Sequence, residues 1–442
     1  MNRIEAEYYI YESYMRAEKE WKYEDKDAIR RNPQLSLRAI RALCVKPAIT
    51  VTGSKGKGSV ANMISRILAS SMKVGLMTSP HVINFNERFQ IMNLPIDDSE
   101  FIRYAEKTKA IFAEVQVQLE KGECISPIGI QCVLALLFFN DNNTDINIFE
   151  CGKGVKYDDV NNIPHAFSVI NTIFLEHTRE LGNSLREIAE NKACIITGNE
   201  KCVYVAEQKE EVYQVLAKRA DEMHTQMKVY GRDFYASNIR FTKQGMQFDV
   251  VIGERIYEDI CIPLLGEHQA KNCALALALC TEIIDVSIKW QAIKDNLACM
   301  EWPGRMEIIS NEPFVLLDAC INRESAYNVV DIVRKVCADK VVTIIGIPDD
   351  KDYQGVAMEM SKVSEYIILT KSSNRHYVFS DQQVFVLERC LMKSDLSISA
   401  TQDVLSALRL AIKKNRPIVI VGTTSLIADI KRIDMSEVIK YV

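Results

Sequence analysis

Short apolar runs alternate with longer amphipathic runs from about residue 48 onward, and this alternation predicts an α/β fold. The runs AITVT, INIFE and FSVINTIF are rich in β-branched and aromatic residues and are typical of buried strands. Between and after them, CVLALLFF and SLREIAENKACII have the spacing of helices. A strand–helix order of this kind predicts a mostly parallel sheet with helices on both faces.

The pattern changes twice along the chain, and these changes predict domains. Residues from about 228 to 263 are β-rich, and a second alternating series begins near Trp302 with PFVLLD, KVVTIIG and PIVIVG. We expect a helical segment over 1–46 that packs on a larger α/β domain over 47–301. A smaller, Rossmann-like α/β domain is expected over 302–442.

Composition narrows the class of protein. The chain has 442 residues, of which 48% are hydrophobic and 26% charged, as in ordinary soluble globular proteins. A net charge of -5 argues against nucleic acid as the principal partner. No stretch approaches the roughly 18 apolar residues that span a bilayer, and the N-terminus lacks the apolar core of a signal peptide. We therefore expect a cytoplasmic enzyme with no membrane partner, whose cysteines are reduced core residues.

A glycine-lysine loop, VTGSKGKGSV, stands between the first predicted strand and a helix. Its glycines let the backbone turn tightly and expose N–H groups, while a lysine and a serine add a charge and a hydroxyl at the helix start. The loop is predicted to bind phosphate, although its spacing differs from the common Walker pattern and a flexible turn is the alternative. The predicted phosphate-binding residues are Gly53, Gly56, Lys57, Gly58 and Ser59.

Polar residues follow three predicted strands at the edge where parallel sheets bind ligands. Ser79 follows VGLM, Glu150 ends INIFE, and His177 follows FSVINTIF. A hydroxyl, a carboxylate and an imidazole beside a phosphate loop can supply ligands to a hard cation such as Mg²⁺. Each residue alone could equally be an ordinary loop-lining side chain.

Together these motifs resemble those of folylpolyglutamate synthases and, more broadly, of the Mur ligase superfamily of ATP-dependent amide-forming enzymes. The likeness runs from about residue 50 to the C-terminus. It rests on VTGSKGKGS, VGLMTSPHVINFNERFQIMNLPIDDSEF, ECGKGVKYDDVN, EHTRELGNSLREIAENKACII, LGEHQAKNCALALA, WPGRME, FVLLDACIN, GIPDDKD and VGTTSLIAD. The resemblance implies a P-loop ATPase domain followed by a smaller ligase domain.

The resemblance also implies roles for single residues. Lys192 matches a family lysine that is typically carbamylated and supports a magnesium ion. Catalytic roles are implied for Lys57, His177 and Lys192, and Mg²⁺ ligation for Ser79, Glu150 and His177. Contacts with ATP are implied for Gly53, Gly56, Lys57, Gly58, Ser59, Asn272, Arg305 and Asp318.

Two departures from the family pattern bear on the substrates. Where the family has Asp-Gly-Ala-His-Asn-Pro, this chain reads DACINR, so Ile321 replaces the histidine and Arg323 introduces a charge. Arg323 can recognise a different carboxylate or can simply be exposed. The segment CISPIGIQCVLALLFF also lacks the Phe-Glu pair that is common in folate enzymes, which weakens the expectation of a folate acceptor.

The implied reaction is ligation of a small-molecule carboxylate with an amino acid or amine through an acyl phosphate. Three alternatives stay open. The first is addition of glutamate to a folate-like acid. The second is a diverged ligase that joins another amino acid or amine to a non-folate acid in specialised biosynthesis. The third is an ATP-binding protein that has lost turnover.

Overall fold

The predicted alternation of strands and helices is confirmed in the structure, a computed structural model. The structure describes residues 1–22, 25–242, 245–374, 376–391, 396–435 and 438. Two compact units are present. The first contains Met1–Arg240, Gln247–Ile262 and His268–Met300, and the second contains Phe241–Met246, Pro263–Glu267 and Glu301–Val442.

The main sheet of the first unit has eight strands in the order β4-β3-β2-β5-β1-β6-β7-β8. Their bounds are β1 Ala48–Thr52, β2 Val74–Met77, β3 Phe89–Ile91, β4 Leu94–Pro95, β5 Ile146–Glu150, β6 Phe167–Ile170, β7 Cys202–Val205 and β8 Met227–Val229. The strands from β2 to β8 along this order pair in parallel, and β3 pairs antiparallel with both β2 and β4. The residues of β1, β2, β5, β6 and β7 are buried throughout, as expected for strands covered on both faces.

In the described residues of the first part of the chain, eleven α-helices and a second small sheet accompany the main sheet. The helices are α1 Arg3–Glu18, α2 Asp27–Arg30, α3 Gln34–Leu43, α4 Lys57–Leu68, α5 Asp98–Gln118, α6 Pro127–Asp141, α7 Thr178–Leu181, α8 Leu185–Ala193, α9 Glu210–Glu222, α10 Glu267–Cys280 and α11 Trp290–Ala298. The second sheet has the order β11-β10-β9, with β9 Phe234–Thr242, β10 Gly245–Ile252 and β11 Arg255–Ile262.

Local sequence explains where helices α6 and α8 begin. Helix α6 starts at Pro127, which needs no N–H partner, and the Ser126 hydroxyl accepts a hydrogen bond from the Gly129 N–H. Helix α8 starts with a capping box, in which Ser184 and Glu187 each accept from the other's backbone N–H. These caps fix the first turns of α6 and of α8, which carries Lys192.

The second unit contains a six-stranded sheet in the order β12-β13-β17-β14-β15-β16. Its strands are β12 Glu307–Asn311, β13 Phe314–Asp318, β14 Val341–Gly346, β15 Ser364–Leu369, β16 Ser397–Ala400 and β17 Ile418–Gly422. Its helices are α12 Arg323–Val336, α13 Tyr353–Met360, α14 Gln382–Cys390, α15 Val404–Ile412 and α16 Thr424–Lys431. All neighbours pair in parallel except β12 with β13, so the Rossmann-like prediction is confirmed.

The strand predicted over FSVINTIF is shorter than expected, because β6 ends at Ile170. From Thr172 to Phe174, the backbone N–H groups donate to side-chain acceptors instead of to a neighbouring strand. The Thr172 N–H donates to Asn171 Oδ1 at 2.8 Å, and the Phe174 N–H donates to Ser54 Oγ at 3.1 Å. A loop therefore separates the sheet from His177, and the prediction that His177 directly follows the strand is wrong.

No cysteine of the chain forms a disulfide. In the part of the chain that the structure describes, no helix combines the length and apolar composition needed to cross a membrane.

A buried ion pair links the segment before β6 to the segment between α8 and β7. The His165 Nε2 lies 2.9 Å from Glu200 Oε1, and both side chains are almost fully buried. Burial raises the pKa of Glu200, but hydrogen bonds from His165 and Thr197 outweigh it and lower the pKa to about 2. Burial lowers the pKa of His165, but its bonds to Glu200 and Ile163 outweigh that effect and raise it.

Glu200→Gln is expected to lower the free energy of unfolding by about 3 kcal/mol, because it leaves His165 buried without its counter-charge. Since the folded-state pKa of His165 is raised, its contribution is present below the unfolded-state pKa and is lost as pH rises through the folded-state pKa. The deficit should therefore shrink in alkaline buffer. Urea unfolding across this pH range measures the loss of stability, and Glu222→Gln, at an exposed position on α9, is the control. A deficit that does not change with pH would contradict the charged pair.

Candidate active site

The phosphate loop joins the end of β1 to the start of α4 and needs glycine at two positions. Gly56 is the N-cap of α4 with φ of 78°, and Gly53 has φ of 139°, both in the region that favours glycine. A Cβ at Gly56 would lie 2.5 Å from Asn171 Nδ2, and one at Gly53 would lie 2.8 Å from Asn171 Cβ. Gly58 lies in the first turn of α4. The loop is thus held tightly against the segment that follows β6.

Lys57 and Ser59 lie in the first turn of α4, where backbone N–H groups and the helix dipole favour anions. The Lys57 Nζ folds back over the loop and donates to the Gly53 carbonyl at 3.1 Å. Ser59 is 1% exposed, and among the described residues its Oγ has no hydrogen-bond partner. A buried hydroxyl without a partner costs about 1–3 kcal/mol. The arrangement therefore fits a phosphate-bearing ligand that would supply the missing partner.

Asn272 also lies at the loop. Its Oδ1 accepts from Asn171 Nδ2 at 2.9 Å, and its Nδ2 donates to Gln269 Oε1 at 3.0 Å. A Cβ at Gly56 would lie 3.2 Å from this amide. The structure thus brings α10 to the loop through Asn171, a residue that sequence reasoning missed. The available signal was an amide at the carboxyl end of a central strand.

Lys192 is fully buried on α8 and faces the loop. Its Nζ donates to the Gly53 carbonyl at 2.9 Å and to the Lys153 carbonyl at 2.7 Å, and it lies 3.1 Å from Glu176 Oε1. Burial lowers the pKa of Lys192, the neighbouring charge of Lys57 lowers it further, and Glu176 opposes both, giving about 8. This lysine is therefore more readily deprotonated than an ordinary surface lysine.

Ser79 and Glu150 lie in contact, whereas the ion pair of His177 is with Glu176. The Ser79 N–H donates to Glu150 Oε2 at 2.9 Å, and Glu150 is 4% exposed. His177 has φ of 45°, and its Nε2 is 4.0 Å from Glu176 Oε2. Burial lowers the pKa of His177, so the neutral, metal-binding imidazole is favoured. No group of three or more His, Cys, Asp and Glu side chains placed to hold a metal occurs within the described ranges.

Arg305 and Asp318 belong to the second unit, at the start of its sheet. The Asp318 Oδ2 accepts from the Met306 N–H at 2.9 Å, and the Arg305 Nη1 donates to the Gly304 carbonyl at 3.1 Å. Asp318 ends β13, and Arg305 lies two residues before β12. Their contact with a nucleotide stays a prediction.

Arg323 does not present a free charge to a substrate. Its Nε donates to Glu359 Oε1 at 2.9 Å, and its backbone N–H donates to Asp352 Oδ2 at 2.9 Å. The guanidinium is thus paired within the second unit, and this pairing gives no support to recognition of a different substrate carboxylate by Arg323.

Comparison with known proteins shows which family the chain belongs to. Residues 51–280 match the family model of the Mur ligase middle domain. A dihydrofolate synthase/folylpolyglutamate synthase of Bacillus subtilis (strain 168) is 30% identical over 327 residues, which are 72% of this chain and 75% of that protein.

Solved structures agree. The folylpolyglutamate synthase of Mycobacterium tuberculosis complexed with ADP has a TM-score of 0.84 at 21% identity. The match covers 97% of this chain and 98% of the chain in that structure. A folylpolyglutamate synthase complex with AMPPCP and folate has a TM-score of 0.78 at 25% identity. The match covers 98% of this chain and 99% of the chain in that structure. The chain therefore belongs to the Mur ligase family and is a folylpolyglutamate synthase-like, ATP-dependent ligase.

Proposed function

We propose that this ligase adds glutamate to a folate-like acid. The observation that carries the proposal is the phosphate loop, in which Lys57 covers the glycine turn and the buried Ser59 hydroxyl lacks a protein partner. The names of its relatives, which are folylpolyglutamate and dihydrofolate synthases, supply the substrate class.

The reaction has two steps. A carboxylate oxygen of the acceptor attacks the γ-phosphorus of ATP, the bond from that phosphorus to the β–γ bridging oxygen breaks, and ADP leaves. The amine of glutamate then attacks the acyl carbon, loses a proton and displaces inorganic phosphate, which leaves an amide. The loop N–H groups and Lys57 would stabilise the negative charge that shifts among the phosphate oxygens.

Magnesium fits the residues near the loop, and we propose that Ser79, Glu150 and His177 would hold it. Ser79 and Glu150 already lie in contact and offer the hard oxygen donors that Mg²⁺ prefers. A bound Mg²⁺ would neutralise charge on the phosphate oxygens. The His177 imidazole would supply the third ligand, although its ion-pair contact in the structure is with Glu176.

Glu150→Gln is expected to raise the Mg²⁺ concentration needed for half-maximal turnover by on the order of 10–100-fold. The amide keeps an acceptor for the Ser79 N–H, which Glu150 now binds, but it loses the negative charge that attracts the cation. Steady-state rates over a magnesium titration measure the effect. Glu190→Gln, at an exposed position on α8, is the control. An unchanged magnesium requirement in Glu150→Gln would remove this residue from the metal site.

We also propose that Lys192 is carbamylated in the active enzyme. The neutral amine would attack CO₂ at carbon and lose a proton, and the lysine would become an anionic oxygen donor. The lowered pKa of Lys192 favours the neutral amine. The nearby Lys57 charge, which now repels the ammonium group, would attract the carbamate.

Phosphate release and product mass test the substrates. The enzyme, ATP and Mg²⁺ are incubated with a panel of carboxylate acceptors crossed with amino acids. A γ-glutamyl adduct on a folate is the expected product. Ligation of a different pair would keep the reaction and overturn the substrate assignment. ATP binding without any product across the panel would overturn turnover itself.

A further inference from the structure

The turn over residues 79–81, here the Ser79 turn, is held by a residue that the family motifs did not single out. Arg88 ends a short 3-10 helix, Phe85–Arg88, and is 8% exposed. Its backbone carbonyl accepts from the Thr78 N–H at 3.0 Å, directly before the turn.

The side chain of Arg88 reaches the other end of the same turn. Its Nε donates to His81 Nδ1 at 3.0 Å, and its Nη1 donates to Gln131 Oε1 at 2.9 Å. The guanidinium carbon lies 4.6 Å from the centre of the Phe85 ring. Arg88 therefore clamps the Ser79 turn from both sides and ties it to α6.

The side chains hydrogen-bonded to Arg88 are those of His81, Gln131 and Tyr11, and none of these three is a carboxylate. Among the described residues, no carboxylate forms an ion pair with Arg88, and Glu150 and Glu7 act on its charge only from a greater distance. A buried charge without a direct counter-ion costs several kcal/mol, and an apolar residue of similar volume would pack at lower cost. Packing alone thus does not account for an arginine here, whereas fixed donor geometry beside Glu150 does.

The clamp also sets the tautomer of His81. A guanidinium has only donors, so His81 Nδ1 must accept, and the ring proton is assigned to Nε2. The ring is further held against Phe85, with 5.3 Å between the ring centroids. His81 is thereby held in one ring orientation, with Nδ1 facing the guanidinium.

We infer that Arg88 is a positioning residue for the ligase, an inference that rests on the proposed function. It holds the Ser79 turn in register with Glu150 and keeps His81 in one tautomer, so that the groups near the transferring phosphoryl group stay in place. Arg88 itself does not touch the reacting atoms.

Arg88→Met and Arg88→Lys test this inference against Arg103→Met. Arg103 is a matched control, because its guanidinium also lies 4.6 Å from an aromatic ring, that of Tyr104, but it is half exposed on α5. We expect kcat to fall by about 100-fold in Arg88→Met, with little change in KM for ATP and little change in Arg103→Met. Arg88→Lys keeps charge and bulk but cannot reach both acceptors with fixed geometry, so a similar loss is expected.

The tautomer gives a readout that does not depend on turnover. ¹⁵N-detected imidazole spectra of the wild type should show His81 with an unprotonated Nδ1, and both Arg88 variants should show mixed tautomers. Wild-type kcat in Arg88→Lys, or an unchanged His81 tautomer in both variants, would overturn the inference. If the wild type shows the fixed tautomer but makes no folate product, the proposed substrates fail and the clamp stands. Should Arg88→Met fail to fold, Arg88→Lys alone decides.

Discussion

Lys57→Ala is expected to lower ligase turnover by about 10³-fold. The lysine is the only side chain of the loop that combines a positive charge with a position on the first turn of α4, where its Nζ already bridges back to the Gly53 carbonyl. On binding ATP, this amine would exchange a carbonyl partner for phosphate oxygens whose charge increases during transfer. Alanine removes that charge and leaves the backbone N–H groups, so residual turnover should remain. Coupled measurement of ADP formation with folate and glutamate gives the rate.

Lys209→Ala is the control for this prediction, because Lys209 is an exposed lysine that directly precedes another helix, α9. Its loss should leave turnover unchanged, and thermal unfolding should show that both variants are folded. Retained ligase activity in Lys57→Ala would remove the loop lysine from the mechanism.

The glycine loop and the sheet were predictable because their signals are local. Runs of four to six apolar residues mark strands that are buried on both faces, and β1, β2 and β5 follow them closely. The end of β6 was not predictable in the same way. FSVINTIF continues the apolar pattern past Ile170, but the Asn171 and Ser54 side chains take over the backbone N–H groups there. Only the fold brings Ser54 to that place.

Residues at the carboxyl ends of parallel strands are expected to lie at one edge of the sheet, and this expectation holds for residues at or near the ends of neighbouring strands. Glu150 is the last residue of β5 and Ser79 lies just beyond β2; these two strands pair in parallel, and the two residues are in contact. His177 lies beyond a loop that the rule does not control. Ion pairs between residues distant in sequence could not be predicted either. One example is Arg323, whose charge is paired with Glu359 in the folded chain.

The burial of Lys192 is the largest departure from what the helix pattern alone indicates. An amphipathic helix normally turns its lysines to solvent, yet this one is fully buried, between the Gly53 and Lys153 carbonyls. Three oxygen acceptors around one amine suit the ammonium form, whereas burial and Lys57 work against it. Because these effects oppose each other, the charge of Lys192 can change readily, and conversion to an anion would relieve the repulsion from Lys57.

Lys192→Ala is therefore expected to reduce turnover by about 10³-fold, and short carboxylic acids such as acetate should restore part of it. The acid would occupy the space left by the side chain and return an anionic oxygen next to Lys57. Rescue should depend on acid concentration and chain length. It should not occur in Lys57→Ala, which loses the opposite charge. Lys218→Ala on α9, an exposed helical lysine, should keep wild-type turnover with or without acid. Carbon-13 bicarbonate labelling of the wild type gives the direct check. Loss without rescue, together with no labelled carbamate, would mean that Lys192 acts as an ammonium group that supports the Gly53 carbonyl.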